Sequence, residues 1–155
     1  MGPLVSKAQL EKTTAALDSA ISEGATIVTG GGRPEGEAFQ LGYWYAPTVL
    51  RDIRAEMRVM HNETFGPITP ILAIDSLDEA IGVANDSRYG LSAYSFSRDH
   101  HTMMRTVDDL ALGEIYINRT LGESIHARHA GFKESGIGSE DGKWGLLRYT
   151  QIKTA

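Results

Sequence analysis

Apolar positions in the first part of the chain recur with helical spacing and then with extended spacing. One helical stripe follows spacings of four and three: Leu10, Thr14, Leu17 and Ile21. This pattern predicts an amphipathic helix over residues Ser6–Glu23. Ser6 and Gln9 form a capping-box pattern at its start, and Gly24 stands where a left-handed residue ends a helix.

Two extended stretches are predicted next. The β-branched run Ala25–Thr29 ends at three glycines, Gly30–Gly32. A turn rather than a helix follows these glycines, so they are interpreted as a surface loop and not as a phosphate-binding loop. Gly42–Leu50 is the second stretch, and Pro47 within it favours an edge or irregular strand. A short helix is predicted within Arg51–Asn62.

From residue 68 the chain alternates regularly between strand and helix. The strands are Ile68–Ile74, Ser92–Phe96 and Glu114–Ile117. The helices between them begin at two caps, Ser76 with Glu79, and Asp99. The second helix has a predicted buried face of Met103, Val107 and Leu110. Such a β-α-β-α-β run predicts right-handed crossovers and a parallel sheet, that is, an α/β fold. A last short helix is predicted around Leu146–Tyr149, before an extended tail.

Composition narrows the classes of partner and site. The 155 residues have the length of one domain, and the formal net charge of −5 comes with no basic cluster. Nucleic acid and anionic membranes are therefore not expected as partners. No apolar run approaches the roughly 20 residues of a membrane span, and the N-terminus lacks the pattern of a secretory signal. We expect a cytoplasmic location. With no cysteine, the chain has no disulfide, no thiolate metal site and no cysteine nucleophile.

A polar loop follows the last predicted strand. It covers Asn118–Gly131 and is rich in ionisable side chains. Open α/β sheets bind ligands just outside the carboxyl ends of their strands, so this loop is the candidate ligand site. Glu123, His126 and His129 are spaced by three, which would suit a metal only on a helix. Because the segment has no firm helix pattern, we predict no metal site.

Several stretches resemble motifs of the aldehyde dehydrogenase family, in the family's order. They are Met1-Gly2-Pro3-Leu4 with the helix after it, Glu63-Thr64-Phe65-Gly66-Pro67, Ala84-Asn85-Asp86 through Tyr89-Gly90-Leu91, Tyr116-Ile117-Asn118, and Lys133-Glu134-Ser135-Gly136-Ile137-Gly138. The resemblance covers residues 1–155. It implies a C-terminal segment of the catalytic domain, a parallel-sheet portion of a three-layer α/β fold, without the nucleotide-binding domain.

The resemblance also implies roles for four residues. Glu63 would hold the nicotinamide ribose of NAD or NADP, and Phe65 would lie against the nicotinamide. From the residues alone, a solvated turn glutamate and a core phenylalanine are the alternatives. Arg128-His129-Ala130-Gly131-Phe132 is similar to the bacterial lactaldehyde and glycolaldehyde dehydrogenases. That similarity implies that Glu123 and His129 bind a small hydroxyaldehyde, and a polar surface loop is the alternative. Independently of the resemblance, Asn118 offers an amide at the end of its strand that could orient the loop or a substrate oxygen, with capping of the strand as the alternative.

The family's catalytic thiolate has no counterpart in this sequence, because no cysteine is present. Its general-base glutamate and oxyanion-hole asparagine also belong to a part upstream of the resembling segment. We assign no catalytic residue, and we expect this chain alone to be inactive and to bind NAD(P) weakly. The alternative is a non-catalytic oligomerisation or binding module of the same fold, and a homo-oligomer is expected in either case. A hydrolase using Ser135 or Ser124 with His129 lacks a nucleophile elbow.

Overall fold

The computed structural model describes residues 1–120, 122 and 124–154. The chain forms two compact units, Met1–Ile74 and Asp75–Ala155. The first unit contains α1 (Lys7–Ser22), β1 (Thr26–Thr29), a 3₁₀ turn (Glu37–Phe39), β2 (Thr48–Arg51), α2 (Arg58–His61) and β3 (Ile68–Pro70). The second contains α3 (Leu77–Asn85), β4 (Tyr89–Gly90), β5 (Ser92–Ser95), α4 (His100–Asp109), β6 (Glu114–Ile117), β7 (Phe132–Lys133) and α5 (Gly142–Arg148).

Helix α1 begins and ends as its sequence predicts. The Ser6 hydroxyl accepts a hydrogen bond from the Gln9 amide N–H at 3.2 Å, which satisfies one of the free donors of the first turn. Gly24 follows the helix with a φ of +106°, a conformation that costs glycine little. The Gln9 side chain does not complete the capping box, because its amide bonds to a distant loop.

The first unit packs a three-stranded sheet with α1 and α2. Strand β2 is central, antiparallel to β1 and parallel to β3. Buried side chains of β2 and α1 belong to one core, and partly buried side chains of α2 pack against it. That core contains Leu17, Ala20, Ala25, Tyr45, Leu50, Ile53 and Met57. Burial of these side chains is the main stabilising contribution in this unit. Pro47 lies just before β2, so the strand is shorter than the extended stretch predicted from the sequence.

The second unit contains the parallel pairing that the alternating pattern predicts. Strands β5 and β6 are parallel and in register, from Ser92 opposite Glu114 to Ser95 opposite Ile117, with α4 as the connection. Strands β4 and β7 form a separate antiparallel pair. The α/β class is therefore confirmed. The strand predicted at Ile68–Ile74 ends at Pro70 and is hydrogen-bonded to β2, which lies before it in the chain.

Helix α4 begins at its predicted cap. One Asp99 carboxylate oxygen accepts hydrogen bonds from the Thr102 amide N–H at 2.7 Å and from its hydroxyl at 2.8 Å. These bonds favour the ionised form and hold the pKa of Asp99 below its ordinary value. The predicted buried face of α4 is only partly correct. Val107 is 45% exposed and Thr106 is buried, because the elements packed around a helix decide which side is covered.

Among the described residues, no helix combines the length and apolar character that crossing a membrane requires.

Candidate functional site

The loop Glu63-Thr64-Phe65-Gly66-Pro67 connects α2 to β3 in the first unit. Phe65 has a φ of +49°, a left-handed conformation that is unusual for a bulky residue. Its side chain is 73% exposed. A large apolar ring held in solvent by strained backbone contributes little to folding. Such outliers support a functional hypothesis.

The backbone of this loop is fixed by helix α1. The Gln9 side-chain amide donates hydrogen bonds to the carbonyl oxygens of Thr64 at 2.9 Å and Phe65 at 2.8 Å. Gly66 lies directly against the buried Thr13, since a Cβ at Gly66 would be 2.5 Å from the Thr13 hydroxyl oxygen. The loop therefore has a defined position on the helix surface.

The exposed groups of this loop offer two kinds of contact. Glu63 is exposed and presents a carboxylate, which accepts hydrogen bonds from hydroxyl groups. Phe65 presents a flat aromatic face, and the Lys12 ammonium lies 5.8 Å from its ring centroid. Together these groups could hold a polar, planar ligand with hydroxyl groups. From the sequence, Gln9 is predicted only as part of a helix cap, and Lys12 is not singled out. Their spacing of three on α1 puts them on one helix face.

Asn118 ends strand β6 in the second unit, with a φ of +51°. Its side-chain oxygen accepts from the Ser97 amide N–H at 2.9 Å, and its side-chain nitrogen donates to the Ser97 carbonyl at 2.7 Å. Its amide therefore binds the chain just beyond β5. This geometry favours the strand-capping alternative over a direct bond to substrate.

An open depression lies beside this strand end. Its volume is about 480 Å³, and it is lined by Phe96, Ser97, Arg98 and Asn118. It lies just beyond the carboxyl ends of two parallel strands, which is where α/β sheets bind ligands. Arg98 and Asn118 give it polar groups, and the exposed ring of Phe96 gives it an apolar one.

His129 is anchored at the start of β6. Its Nδ1 lies 2.6 Å from the Glu114 carboxylate, and the two side chains are only 22% and 12% exposed. The other carboxylate oxygen of Glu114 accepts a hydrogen bond from the Tyr116 hydroxyl at 2.7 Å. Tyr116 in turn stacks on Tyr94, with ring centroids 5.0 Å apart. From the sequence, Glu114 and Tyr116 belong to a predicted strand and neither is predicted as a site residue. Their i, i+2 spacing on one strand was the available signal.

Glu123, the predicted partner of His129, lies outside the described residues. His126 is exposed. Within the described part of the chain, no group of three acidic or histidine side chains is arranged to hold a metal ion. The Ser135 hydroxyl accepts a hydrogen bond from the Gly90 amide N–H at 2.9 Å, which ties β4 to the chain after β7.

A comparison with protein families matches this chain to the aldehyde dehydrogenase family over residues 1–155. The chain belongs to the aldehyde dehydrogenase family. It is 45% identical over 153 residues to lactaldehyde dehydrogenase from Escherichia coli (strain K12), covering 99% of this chain and 31% of that enzyme. The chain therefore spans about a third of the length of this relative.

Two solved aldehyde dehydrogenases superpose on nearly all of the chain. The complex of 3,6-anhydro-L-galactose dehydrogenase with NADP has a TM-score of 0.92 at 44% identity, covering 96% of this chain and 31% of that one. Betaine aldehyde dehydrogenase from Staphylococcus aureus in complex with NAD+ has a TM-score of 0.92 at 39% identity, covering 96% and 30%. Both solved relatives thus hold a nicotinamide cofactor.

The predicted site residues of this aldehyde dehydrogenase segment fall into two groups. Glu63 and Phe65 share the loop before β3 in the first unit, and Asn118 and His129 lie in the second unit. Gln9 holds the backbone of the loop in the first unit. In the second unit, Asn118 is held by the backbone of Ser97, and His129 is held by the Glu114 carboxylate.

Proposed function

We propose that this chain is part of an NAD(P)-dependent aldehyde dehydrogenase that oxidises a small hydroxyaldehyde to its carboxylate. The observation that carries the proposal is Phe65, an exposed aromatic ring held in a left-handed conformation within a family motif. The 45% identity to lactaldehyde dehydrogenase supports the substrate class.

The residues of the first unit fit a nicotinamide ribose. The exposed carboxylate of Glu63 would accept hydrogen bonds from the two ribose hydroxyls, and the face of Phe65 would lie against the nicotinamide. When bound, NAD(P)+ supplies the hydride acceptor. Gln9 keeps the loop in place through two hydrogen bonds to its carbonyl groups, so the loop backbone would need little reorganisation on binding.

Glu123 and His129 would bind the hydroxyl group of the aldehyde. A hydroxyl is both donor and acceptor, and a carboxylate with an imidazole offers partners for both. A site built for a hydroxyl rejects analogues that lack it, because its buried polar groups are then unpaired. Asn118 would position the loop that carries these residues.

The nucleophile would come from sequence outside this chain, which contains no cysteine. A serine or threonine without an adjacent base is a poor substitute for a thiolate. We therefore expect no aldehyde-dependent NAD(P) reduction by this chain alone. Sustained turnover in that assay would contradict this part of the proposal.

A chimera tests the function directly. This chain would replace the matched 153 residues of E. coli lactaldehyde dehydrogenase. We expect NAD(P) reduction with lactaldehyde, and a lower kcat/KM with propanal, which lacks the hydroxyl group. Phe65→Ala in the chimera should lower kcat/KM by roughly 10- to 100-fold through loss of positioning. Leu41→Ala, which truncates another exposed apolar side chain in the same unit, is the control. A folded chimera without activity, or equal effects of both substitutions, would refute the proposal.

We also propose that the protein forms a homo-oligomer through its C-terminal tail. Tyr149 and Ile152 are 92% and 91% exposed, which is unusual for apolar side chains close in sequence. Light scattering of the chain and of Ile152→Asp would test this, with a smaller mass expected for the variant. A monomeric parent chain across the concentration range would argue against it.

A further inference from the structure

Strand β6 presents two polar side chains to the same surface. Glu114 and Tyr116 are separated by two positions, so both side chains leave the same face of the strand. The Tyr116 hydroxyl donates to one carboxylate oxygen of Glu114 at 2.7 Å, and His129 Nδ1 lies 2.6 Å from the other. One carboxylate therefore connects a strand residue with a residue of the polar loop.

The backbone around His129 is held independently of this carboxylate. His129 and Glu140 exchange both backbone hydrogen bonds, at 3.0 and 2.8 Å. The following residue, Ala130, crosses so close to Gly113 that a Cβ there would lie 1.5 Å from its carbonyl oxygen. Only glycine at position 113 allows this approach. His129 is thus fixed by its own backbone, and its side chain by Glu114.

The chemistry of the pair determines where the imidazole carries its proton. An ionised carboxylate only accepts hydrogen bonds, so the contact at 2.6 Å requires a proton on Nδ1. In a neutral imidazole the lone pair is then on Nε2. Carboxylates that orient histidines in this way fix both the ring angle and the tautomer.

We propose that Glu114 is a positioning residue for His129. It holds His129 as the Nδ1–H tautomer, so that Nε2 is the acceptor for the hydroxyl group of the aldehyde. Tyr116 supports it by donating to the second carboxylate oxygen, which keeps the carboxylate plane in place. The substrate part of this assignment rests on the proposed function. The assignment of the tautomer rests only on the contacts among Glu114, Tyr116 and His129.

Nitrogen-15 NMR of the histidine rings tests the tautomer in the 155-residue chain. Spectra are recorded on the high-pH plateau of the titration, where the imidazoles are neutral. We expect the His129 signals to show a protonated Nδ1 and an unprotonated Nε2. His126, which is exposed on the same loop, is the internal reference. A parent protein with His129 protonated on Nε2 would overturn the proposal without any variant.

Substitutions then assign the effect to Glu114. Glu114→Ala should shift His129 toward the Nε2–H tautomer, and Tyr116→Phe should do so to a smaller extent. Glu134→Ala removes an exposed glutamate from the same unit and should leave the tautomers of His129 and His126 unchanged. An unchanged His129 tautomer in Glu114→Ala would refute the positioning role.

The chimera separates this assignment from the proposed function. There, Glu114→Ala should reduce the preference for lactaldehyde over propanal by at least several-fold, and Glu134→Ala should not. A tautomer shift without loss of that preference would refute the link between Glu114 and substrate, although the chimera could still oxidise aldehydes. An inactive chimera with the expected NMR result would refute the proposed function and leave the tautomer assignment standing.

Discussion

Gly66→Ala tests whether the loop that carries Phe65 is fixed by contact with α1. A Cβ at position 66 would lie 2.5 Å from Thr13 Oγ1, 3.0 Å from its Cγ2 and 3.3 Å from its Cβ. Thr13 is fully buried, and its hydroxyl donates to the Gln9 carbonyl at 2.8 Å, so it cannot rotate away without losing that bond. Overpacking of this kind typically costs about 1–3 kcal/mol of unfolding free energy.

A double-mutant cycle gives this prediction its magnitude. Thr13→Ala removes the two closest atoms and leaves only the contact at 3.3 Å. Alone, it should cost about 1–2 kcal/mol through a lost methyl group and a lost hydrogen bond. Combined with Gly66→Ala, it should relieve the clash, so that the double variant is at least about 1 kcal/mol more stable than the sum predicts.

Urea denaturation followed by far-UV circular dichroism measures the four free energies of unfolding. Hydrogen exchange of residues 63–68 shows whether the loop itself loosens in Gly66→Ala. Gly32→Ala is the matched control, because nothing lies within 4 Å of a Cβ at that position. Additive effects within about 0.5 kcal/mol would show that Gly66 and Thr13 are not in contact. Packing against α1 would then not be what holds the loop that carries Phe65.

Two further substitutions test the packing and a helix cap. Leu50 is fully buried in the first unit, so Leu50→Ala should lower the free energy of unfolding by about 2–5 kcal/mol. Val49 is only half-buried, so Val49→Ala should lower the free energy of unfolding by less in the same urea assay. The Thr102 N–H and hydroxyl hold the pKa of Asp99 below its ordinary value. The ionised carboxylate therefore stabilises the fold fully above the ordinary carboxyl pKa, and this stabilisation is lost as the pH falls through the pKa of the folded state. The stability difference between the parent and Asp99→Ala should therefore be largest at neutral pH and disappear in acid. A cap effect that persists in acid would contradict the assignment.

Local chemistry made much of the fold predictable from the sequence. Ser6, Ser76 and Asp99 all cap helices at the predicted positions, because each cap bonds to an amide three residues ahead. The parallel pairing of β5 and β6 also follows from local pattern, since a helix between two strands dictates a crossover. These features depend on residues that are close in the chain.

Contacts between distant residues were outside the reach of sequence pattern. The Gln9 side chain bonds to carbonyl groups 55 and 56 residues away, and a polar residue on a helix gives no sign of such a partner. Glu114 and His129 are 15 residues apart, with the polar loop between them. The resemblance to a family pointed to His129, but only the fold shows which carboxylate holds it.

Left-handed backbone occurs in both groups of site residues. Phe65, Asn118 and Lys133 all have a φ near +50°, and all three lie in stretches that match family motifs. Asparagine tolerates this conformation, but phenylalanine and lysine gain nothing from it and lose of order 1 kcal/mol or more each. Lys133 is compensated, because its ammonium donates to the carbonyl groups of Asn85 and Ser87 at 2.8 and 2.9 Å. The Phe65 ring is largely exposed. Its carbonyl accepts the Gln9 hydrogen bond at 2.8 Å, and the Lys12 ammonium lies 5.8 Å from the ring centroid. This conformation presents the ring to solvent, which supports the cofactor role that we propose for this loop.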